Sequence, residues 1–128
     1  MPLIQSETEG FTLLDPPGTD DIIIDVSYRR PAGYRKGVRD AVWENAKGPD
    51  GQVRDPLTGA VMNSDDPWDM GHRPGYEFRK HQLSAQQRGI SRQEFLDEYN
   101  DPSHFWPELP TSNRSHAGED TTDQYFGP

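Results

Sequence analysis

The chain has 128 residues, a formal net charge of −9, 12 glycines, 12 prolines and a hydrophobic fraction of 30%, which predict one domain with a small core and many turns. It contains no cysteine, which excludes disulfides, thiolate zinc sites and a cysteine nucleophile, so a bound metal would need His, Asp, Glu or Asn ligands. No apolar run approaches the roughly 18 residues of a membrane span, and the opening stretch MPLIQSETEG lacks the features of a signal peptide.

Charge is distributed unevenly along the sequence. Residues 1–28 hold six acids and residues 115–128 hold three, and all thirteen Lys and Arg residues lie between these two segments. The centre of the chain is therefore close to neutral, and its arginines can either contact phosphate or form a solvated face. We expect the acidic ends to remain solvated, to repel DNA or to contact a delivery carrier.

The chain is predicted to begin with an acidic, partly ordered lead-in, residues 1–33, which we separate from a domain at residues 34–128. Within the lead-in, IIIDVSY predicts one strand before a break at Pro31 to Gly33. YRKGVRDAVWENAK, residues 34–47, predicts a helix that stops at Gly48-Pro49. VRDPLTGAV, residues 53–61, predicts a β-hairpin with Gly59 in the left-handed conformation.

Three further helices are predicted in the second half of the chain. One spans residues 77–88 and stops at Gly89, and the next spans residues 91–99. In the latter, Ser91 and Glu94 have the spacing of a capping box. Ser112 is predicted to cap a short final helix.

The candidate site residues lie on two segments with basic residues beside both. Motifs for a serine nucleophile, a phosphate-binding glycine loop and a zinc protease are absent from the sequence. Histidine to activate water, oxygen or imidazole ligands for a divalent ion, and arginine for phosphate are the parts of metal-assisted phosphodiester hydrolysis. Taken singly, however, a histidine is more often a structural or surface residue, and an arginine can equally pair with nearby acids. The set consists of Asp69, His72 and Glu77, then Asn113, His116 and Glu119, with Arg73, Arg79, Lys80 and Arg114 beside them.

Five stretches carry a resemblance to a known family: YRKGVRDAVWENAK, VRDPLTGAVM, PWDMGHRPGYEFRKH, GISRQEFLDEYNDP and PELPTSNRSHAGED. From about Tyr34 onward the chain resembles the GH-E nuclease toxins, a branch of the HNH/endonuclease VII superfamily found at the C-terminal ends of bacterial polymorphic toxins. The resemblance implies an α+β fold with a ββα-metal, treble-clef-like core and additional helices. In that core, WDMGH would be the first strand and its exit.

The resemblance also implies roles for individual residues. His72 would be the general base, and Gly71 would let the backbone approach the phosphate. Asn113 would orient the base or bind metal, and His116 would be a metal ligand. Glu77 is the acid that best matches the E of the family name, with Glu119 as the alternative. Asp69, the nearest acid upstream of the base, is a further candidate ligand.

Three departures from the usual family pattern bear on these roles. Gly71 stands where many relatives place an acidic ligand directly before the base histidine. The interval from His72 to Asn113 is longer than a minimal ββα motif needs, so we expect an insertion that shapes substrate choice. The cysteine knuckles of some relatives are missing, so we expect the hairpin at residues 53–61 to hold its corner by packing.

The implied function is a metal-dependent DNase toxin of target bacteria, with Mg²⁺ or Mn²⁺ as cofactor and Zn²⁺ or Ni²⁺ as substitutes in vitro. Arg73, Arg79, Lys80 and Arg114 would contact phosphates with little base preference. Partners would be a cognate immunity protein and a larger toxin chain or delivery carrier, with secretion into the target-cell cytoplasm. Two alternatives stay open: an RNA-cleaving toxin of the same fold, and a non-catalytic binding module.

Overall fold

The N-terminal part of the fold is a short strand pair followed by a helical turn. The computed structural model describes residues 23–128 and the backbone of one earlier strand, Phe11–Leu13. This strand, β1, pairs antiparallel with β2, Ile23–Asp25. A 3-10 helix, Val26–Tyr28, follows because the Asp25 side chain accepts a hydrogen bond from the Ser27 amide at 2.8 Å. Of the strand predicted over IIIDVSY, the part at Ile23–Asp25 is confirmed and the part at Val26–Tyr28 is wrong, while residue 22 lies outside the described residues.

The first α-helix and the hairpin follow the sequence prediction closely. Helix α1 spans Val38–Asn45 and begins later than predicted, since its N-cap Gly37 has a φ of 89° that ends the preceding turn. Strands β3, Val53–Arg54, and β4, Val61–Met62, form the predicted hairpin. Gly59 takes the expected left-handed conformation, with a φ of 77°.

A second strand pair and the final helix form the ββα unit. Strand β5, Asp69–His72, pairs antiparallel with β6, Phe105–Glu108, and His72 lies opposite Phe105. Helix α4, Pro110–Ser115, follows β6 directly. This order confirms the predicted strand at WDMGH and the α+β, HNH-like fold. The Ser112 cap is wrong: Leu109 is the N-cap, and Ser112 lies inside the helix.

The predicted insertion lies between the two strands of this pair. It contains α2, Phe78–Arg88, α3, Arg92–Tyr99, and a 3-10 helix, Pro102–His104. Helix α2 ends at Gly89, whose φ of 65° is left-handed as expected. Helix α3 begins with the predicted capping box of Ser91 and Glu94.

Two small cores hold these elements together. The first joins α1, the hairpin and the β5–β6 pair through Val38, Val42, Val53, Met62, Trp68 and Phe105. The second joins the N-terminal segment to α2 and α3 through Ile24, Tyr28, Ala85 and Phe95. The division of the chain at residue 33 stays a prediction, but a separation there would expose Ile24 and Tyr28, which are buried.

Within residues 23–128, no helix combines the length and the apolar character needed to cross a membrane.

Candidate active site

An open cavity of about 720 Å³ lies beside the ββα unit. Its wall comes from the β5–β6 pair, the start of α2, helix α4 and the segment after α4. The sequence could not show directly that these segments meet, because they lie far apart along the chain. The cavity brings together six of the predicted site residues: His72, Glu77, Arg79, Asn113, His116 and Glu119.

His72 ends β5 and packs among aromatic side chains. Its ring centroid lies 4.6 Å from that of Phe105, and Tyr99 and Phe78 lie at 6.3 and 6.4 Å. Burial lowers the pKa of His72 to about 3, and the positive charge of Arg30 acts in the same direction. The imidazole is therefore neutral at physiological pH, the state in which a ring nitrogen can accept a proton.

Glu108 is a cavity residue that the sequence analysis missed. Its carboxylate folds over Gly71 of the neighbouring strand and accepts a hydrogen bond from Trp106 Nε1 at 2.6 Å. A Cβ at Gly71 would lie 2.1 Å from Glu108 Oε2. The carboxylate of Glu108 thus fills the space above Gly71. The expectation that Gly71 leaves this space open for a phosphate is therefore wrong. The strand register pairs Asp69 with Glu108, so a predicted β5–β6 pairing would have revealed it.

The acidic groups around Glu108 act on one another. Burial raises the pKa of the Glu108 carboxyl, against the opposing effect of the Trp106 hydrogen bond. The negative charges of three further acids also raise this pKa: Asp55, Asp69 and Glu119. A concentration of negative charge at one end of the cavity is an environment that attracts a cation.

Asn113 and Asp69 contact each other across α4 and β5. Asn113 Nδ2 donates to Asp69 Oδ2 at 3.0 Å, and Arg114 Nε lies 3.3 Å from the same oxygen. Asp69 is therefore directed to α4 and does not line the cavity, whereas Asn113 does. Arg114 is held in the same contact and also stays outside the cavity wall.

His116 and Glu119 form a pair at the end of α4. His116 has a φ of 60° as the C-cap of the helix, which turns the chain toward the cavity-lining segment. Its Nδ1 contacts the Glu119 carboxylate, and this hydrogen bond raises the pKa of the imidazole. Both side chains are largely exposed, so both are accessible to a ligand from solvent.

Glu77 connects two loops at the edge of the cavity. Its Oε1 accepts a hydrogen bond from the Gly75 amide at 2.9 Å, and its Oε2 accepts one from the Asp120 amide at 2.8 Å. Its side chain is buried, with Lys80 Nζ at 3.4 Å from Oε1. Glu77 thereby fixes the loop after His72 to the segment after α4.

Most of the predicted phosphate-binding residues are engaged elsewhere. Lys80 is fully buried, and its Nζ lies 2.5 Å from Asp120 Oδ2, so its assignment to phosphate binding is wrong. Arg79 lines the cavity, but its Nη1 lies 2.7 Å from Asp123 Oδ1.

Arg73, like Arg114, lies outside the cavity wall. Its Nε donates to the Phe105 carbonyl at 3.1 Å, and its guanidinium lies over the Trp106 ring. The acidic C-terminal end, which we expected to be solvated, instead pairs with His116, Lys80 and Arg79.

The donor types in the cavity fit a hard divalent cation. Carboxylate and amide oxygens suit Mg²⁺ or Mn²⁺, and imidazole suits Zn²⁺ or Ni²⁺. Within residues 23–128 no three His, Asp or Glu side chains are arranged as a preformed metal site. The residues that would hold a cation are Glu108, Asn113, His116 and Glu119. A bound divalent ion would supply stabilisation of negative charge on a phosphate.

Comparison with known families agrees with this geometry. The family described as "HNH/ENDO VII superfamily nuclease with conserved GHE residues" matches residues 50–119, which is more than half of the chain. The chain belongs to this family. No solved structure gives a significant match.

The family description helps to locate the site within the GH-E domain. Gly71-His72 is the only Gly-His pair in the sequence and lies inside the matched range, so we predict that it supplies the G and H of the name. Glu77 remains the prediction for the E. Arg30 also lines the cavity but lies outside the matched range, so family motifs provide no signal for it.

Proposed function

We propose that this GH-E domain is a metal-dependent endonuclease toxin that hydrolyses phosphodiester bonds of DNA in target bacteria with little sequence preference. Membership of the nuclease family supports phosphodiester hydrolysis. The observation that carries the proposal is a neutral histidine, His72, in the same open cavity as Asn113, His116 and four acids: Glu77, Glu108, Glu119 and Asp120.

His72 acts as the general base in this proposal. Its neutral imidazole accepts a proton from the attacking water, and an anionic phosphate beside the ring favours the imidazolium that forms. Glu108, Asn113, His116 and Glu119 would hold the divalent ion, with Mg²⁺ or Mn²⁺ as the cofactor. Asn113 also orients α4 through its bond to Asp69.

The biological setting forms part of the same proposal. A nuclease that acts on genomic DNA endangers the cell that makes it, so a cognate immunity protein would neutralise it in the producer. Delivery would require a larger toxin chain or a carrier and a secretion system that reaches the target-cell cytoplasm. Coexpression with candidate immunity proteins, scored by rescue of growth, tests this part separately from the chemistry.

The chemistry is tested with purified wild type and His72→Gln, each incubated with plasmid DNA and with total RNA in Mg²⁺, Mn²⁺ or EDTA. We expect DNA cleavage that requires metal and falls by roughly a hundredfold or more in the variant, the range lost with a general base. Cleavage of RNA alone would change the substrate to RNA. Absence of cleavage of both nucleic acids by folded wild type would leave a binding module.

A matched histidine variant separates chemistry from folding. His104 is buried against Tyr76, with ring centroids 4.5 Å apart, and lies outside the cavity wall. His104→Gln therefore removes a buried imidazole that does not line the cavity. We expect it to lower the melting temperature but to retain metal-dependent cleavage, and equal loss of activity in both variants would argue against His72 as the base.

A further inference from the structure

Only two Lys or Arg residues among residues 23–128 line the active-site cavity, Arg30 and Arg79. They differ in their electrostatic environment. Arg79 Nη1 lies 2.7 Å from Asp123 Oδ1, and its Nη2 donates to the Thr122 carbonyl at 3.1 Å. No carboxylate in the described range 23–128 lies within ion-pair distance of Arg30. Within that range, the N–H donors of Arg30 are therefore not taken up by a carboxylate.

The side chain of Arg30 is held in place by an aromatic ring. Its guanidinium carbon lies 4.1 Å from the ring centroid of Phe78, the first residue of α2. A guanidinium stacked on a ring keeps its N–H edge free for hydrogen bonds to an oxyanion. Phe78 itself lines the cavity beside His72, so the stack faces the candidate base.

The backbone that carries Arg30 is anchored to the insertion. Arg92 Nη1, at the start of α3, donates to the carbonyls of Ser27 at 2.8 Å and of Arg29 at 2.7 Å. Tyr28 Oη donates to the Ile90 carbonyl at 2.6 Å. These bonds fix the chain immediately before Arg30, which limits the entropy that a contact from Arg30 would cost.

We propose that Arg30, from the segment before the family domain, binds a phosphate of the nucleic acid in the active-site cavity. The inference rests on the proposed nuclease function for its ligand, but it adds a binding residue that lies outside the family match at residues 50–119. Arginine is suited to this role because its planar fork can donate two hydrogen bonds to one phosphate. The N-terminal segment thereby completes the cavity as well as the second core.

Arg29 offers a matched control for this proposal. It precedes Arg30, carries the same charge and is exposed, but its Nη1 donates to the Val26 carbonyl and its side chain does not line the cavity. Arg29→Ala and Arg30→Ala therefore change the net charge of the protein equally. Arg30→Lys is the conservative variant, because it keeps the charge but loses the planar fork.

The experiment measures binding of a short fluorescent DNA duplex and a single-stranded RNA to the full chain in EDTA, over a range of salt concentrations. Loss of one phosphate contact lowers the slope of log K against log salt by about 0.9 for duplex DNA or about 0.7 for a single strand. The same relation predicts roughly tenfold weaker binding at about 0.1 M salt. We expect both the lower slope and the weaker binding for Arg30→Ala. Arg29→Ala should keep the wild-type slope, and Arg30→Lys should keep most of it.

The outcomes distinguish this inference from the proposed function. Equal affinities and slopes for Arg30→Ala and Arg29→Ala, with unchanged melting temperatures, would overturn the role of Arg30. Wild-type protein that binds neither nucleic acid would overturn it as well. Binding that depends on Arg30, without cleavage in Mg²⁺ or Mn²⁺, would overturn the nuclease proposal alone.

Discussion

At Gly71 the absence of a side chain admits a carboxylate from the neighbouring strand. Glu108 occupies the volume that a Cβ at this position would need, at 2.1 Å from its Oε2. The backbone of Gly71 forms part of a regular strand and its φ is not among the positive values of the chain, so an alanine meets no conformational barrier there. The requirement for glycine at position 71 therefore comes from the side chain of Glu108 and not from the backbone conformation.

Gly71→Ala should displace Glu108 and reduce cleavage with little change in stability. A shift of about 1 Å in a catalytic group can lower the rate by roughly a hundredfold, and we expect a loss of up to that size. The measurements are the cleavage rate and the melting temperature. Gly33→Ala is the control, because nothing lies within 4 Å of a Cβ at Gly33. Wild-type activity in Gly71→Ala would show that Glu108 is dispensable.

Lys80→Met should destabilise the protein without a specific effect on nucleic-acid binding. The ammonium group of Lys80 is fully buried between Glu77 and Asp120, so its removal leaves the buried Glu77 carboxylate without a counter-ion. Loss of one partner of a buried ion pair costs about 3–5 kcal/mol in the free energy of unfolding. Urea denaturation measures this cost. A stable variant with weaker DNA binding would restore the phosphate-binding role predicted from the sequence.

Among the elements, the β3–β4 hairpin is joined to α4 by one buried side chain. Asp55 Oδ2 accepts hydrogen bonds from Thr58 N and Ser112 Oγ, both at 2.8 Å, and Oδ1 accepts one from Leu109 N at 2.8 Å. Burial alone would raise the pKa of this carboxyl, but these hydrogen bonds outweigh burial and lower it. We expected packing to hold this corner, and hydrogen bonds contribute as well.

Asp55→Asn should loosen the contact between the hairpin and α4. An amide can accept at one of its two positions only, so at least one buried donor loses its partner, at a cost of about 1–3 kcal/mol in the free energy of unfolding. Because α4 carries Asn113, we also expect slower cleavage. Chemical denaturation and cleavage rates check both effects.

The exposed acid Asp50 provides the control for Asp55. It pairs with Arg54 on the surface, and Asp50→Asn should change neither stability nor activity appreciably. If the two variants have the same stability, the Asp55 hydrogen bonds do not hold the hairpin to α4.

Across the whole molecule, segments outside the family match complete the structure around α2. Residues 23–30 pack on α2 and α3 from one direction. The segment after α4 returns to α2, where Asp120 and Asp123 pair with Lys80 and Arg79. The Phe126 amide also donates to the Gly75 carbonyl at 2.9 Å. Two acids of the C-terminal segment are thus neutralised locally by cations of the helix that borders the cavity.

The stability of the molecule should decrease in mild acid because of His81. Its ring is stacked between Phe95 and Tyr125, at centroid distances of 4.3 and 5.2 Å. Burial lowers its pKa from 6.5 to about 4, although the hydrogen bond to Glu98 acts in the opposite direction. Between these two pH values the unfolded chain binds a proton at His81 that the folded protein does not bind. The contribution of the neutral His81 to the free energy of unfolding is therefore fully present above pH 6.5, and it decreases as the pH falls toward 4.

The free energy of unfolding measured in urea between pH 8 and pH 4 checks this dependence. In wild type we expect the contribution of His81 to approach a slope of about 1.4 kcal/mol per pH unit. His81→Gln removes the titrating group, so its curve should be flatter over the same range. Parallel curves for the two proteins would contradict a depressed pKa at His81.

Local patterns in the sequence determined most of the elements. The hairpin with Gly59, the end of α2 at Gly89 and the capping box of Ser91 and Glu94 are all short-range features whose geometry depends on neighbouring residues. The start of α1 was less accurate, because Gly37 favours a left-handed turn that helical periodicity does not reveal. The Gly71-His72 pair and the family could likewise be identified from residues that are adjacent in the sequence.

Only the tertiary structure decided which charged residues face the cavity. Lys80 and Arg73 look like free cations in the sequence, but Lys80 is buried between acids and Arg73 lies outside the cavity wall. Conversely, Arg30 and Glu108 line the cavity although the sequence analysis selected neither residue. The reason is physical: ion pairing and burial depend on contacts between residues tens of positions apart, and local sequence does not specify them.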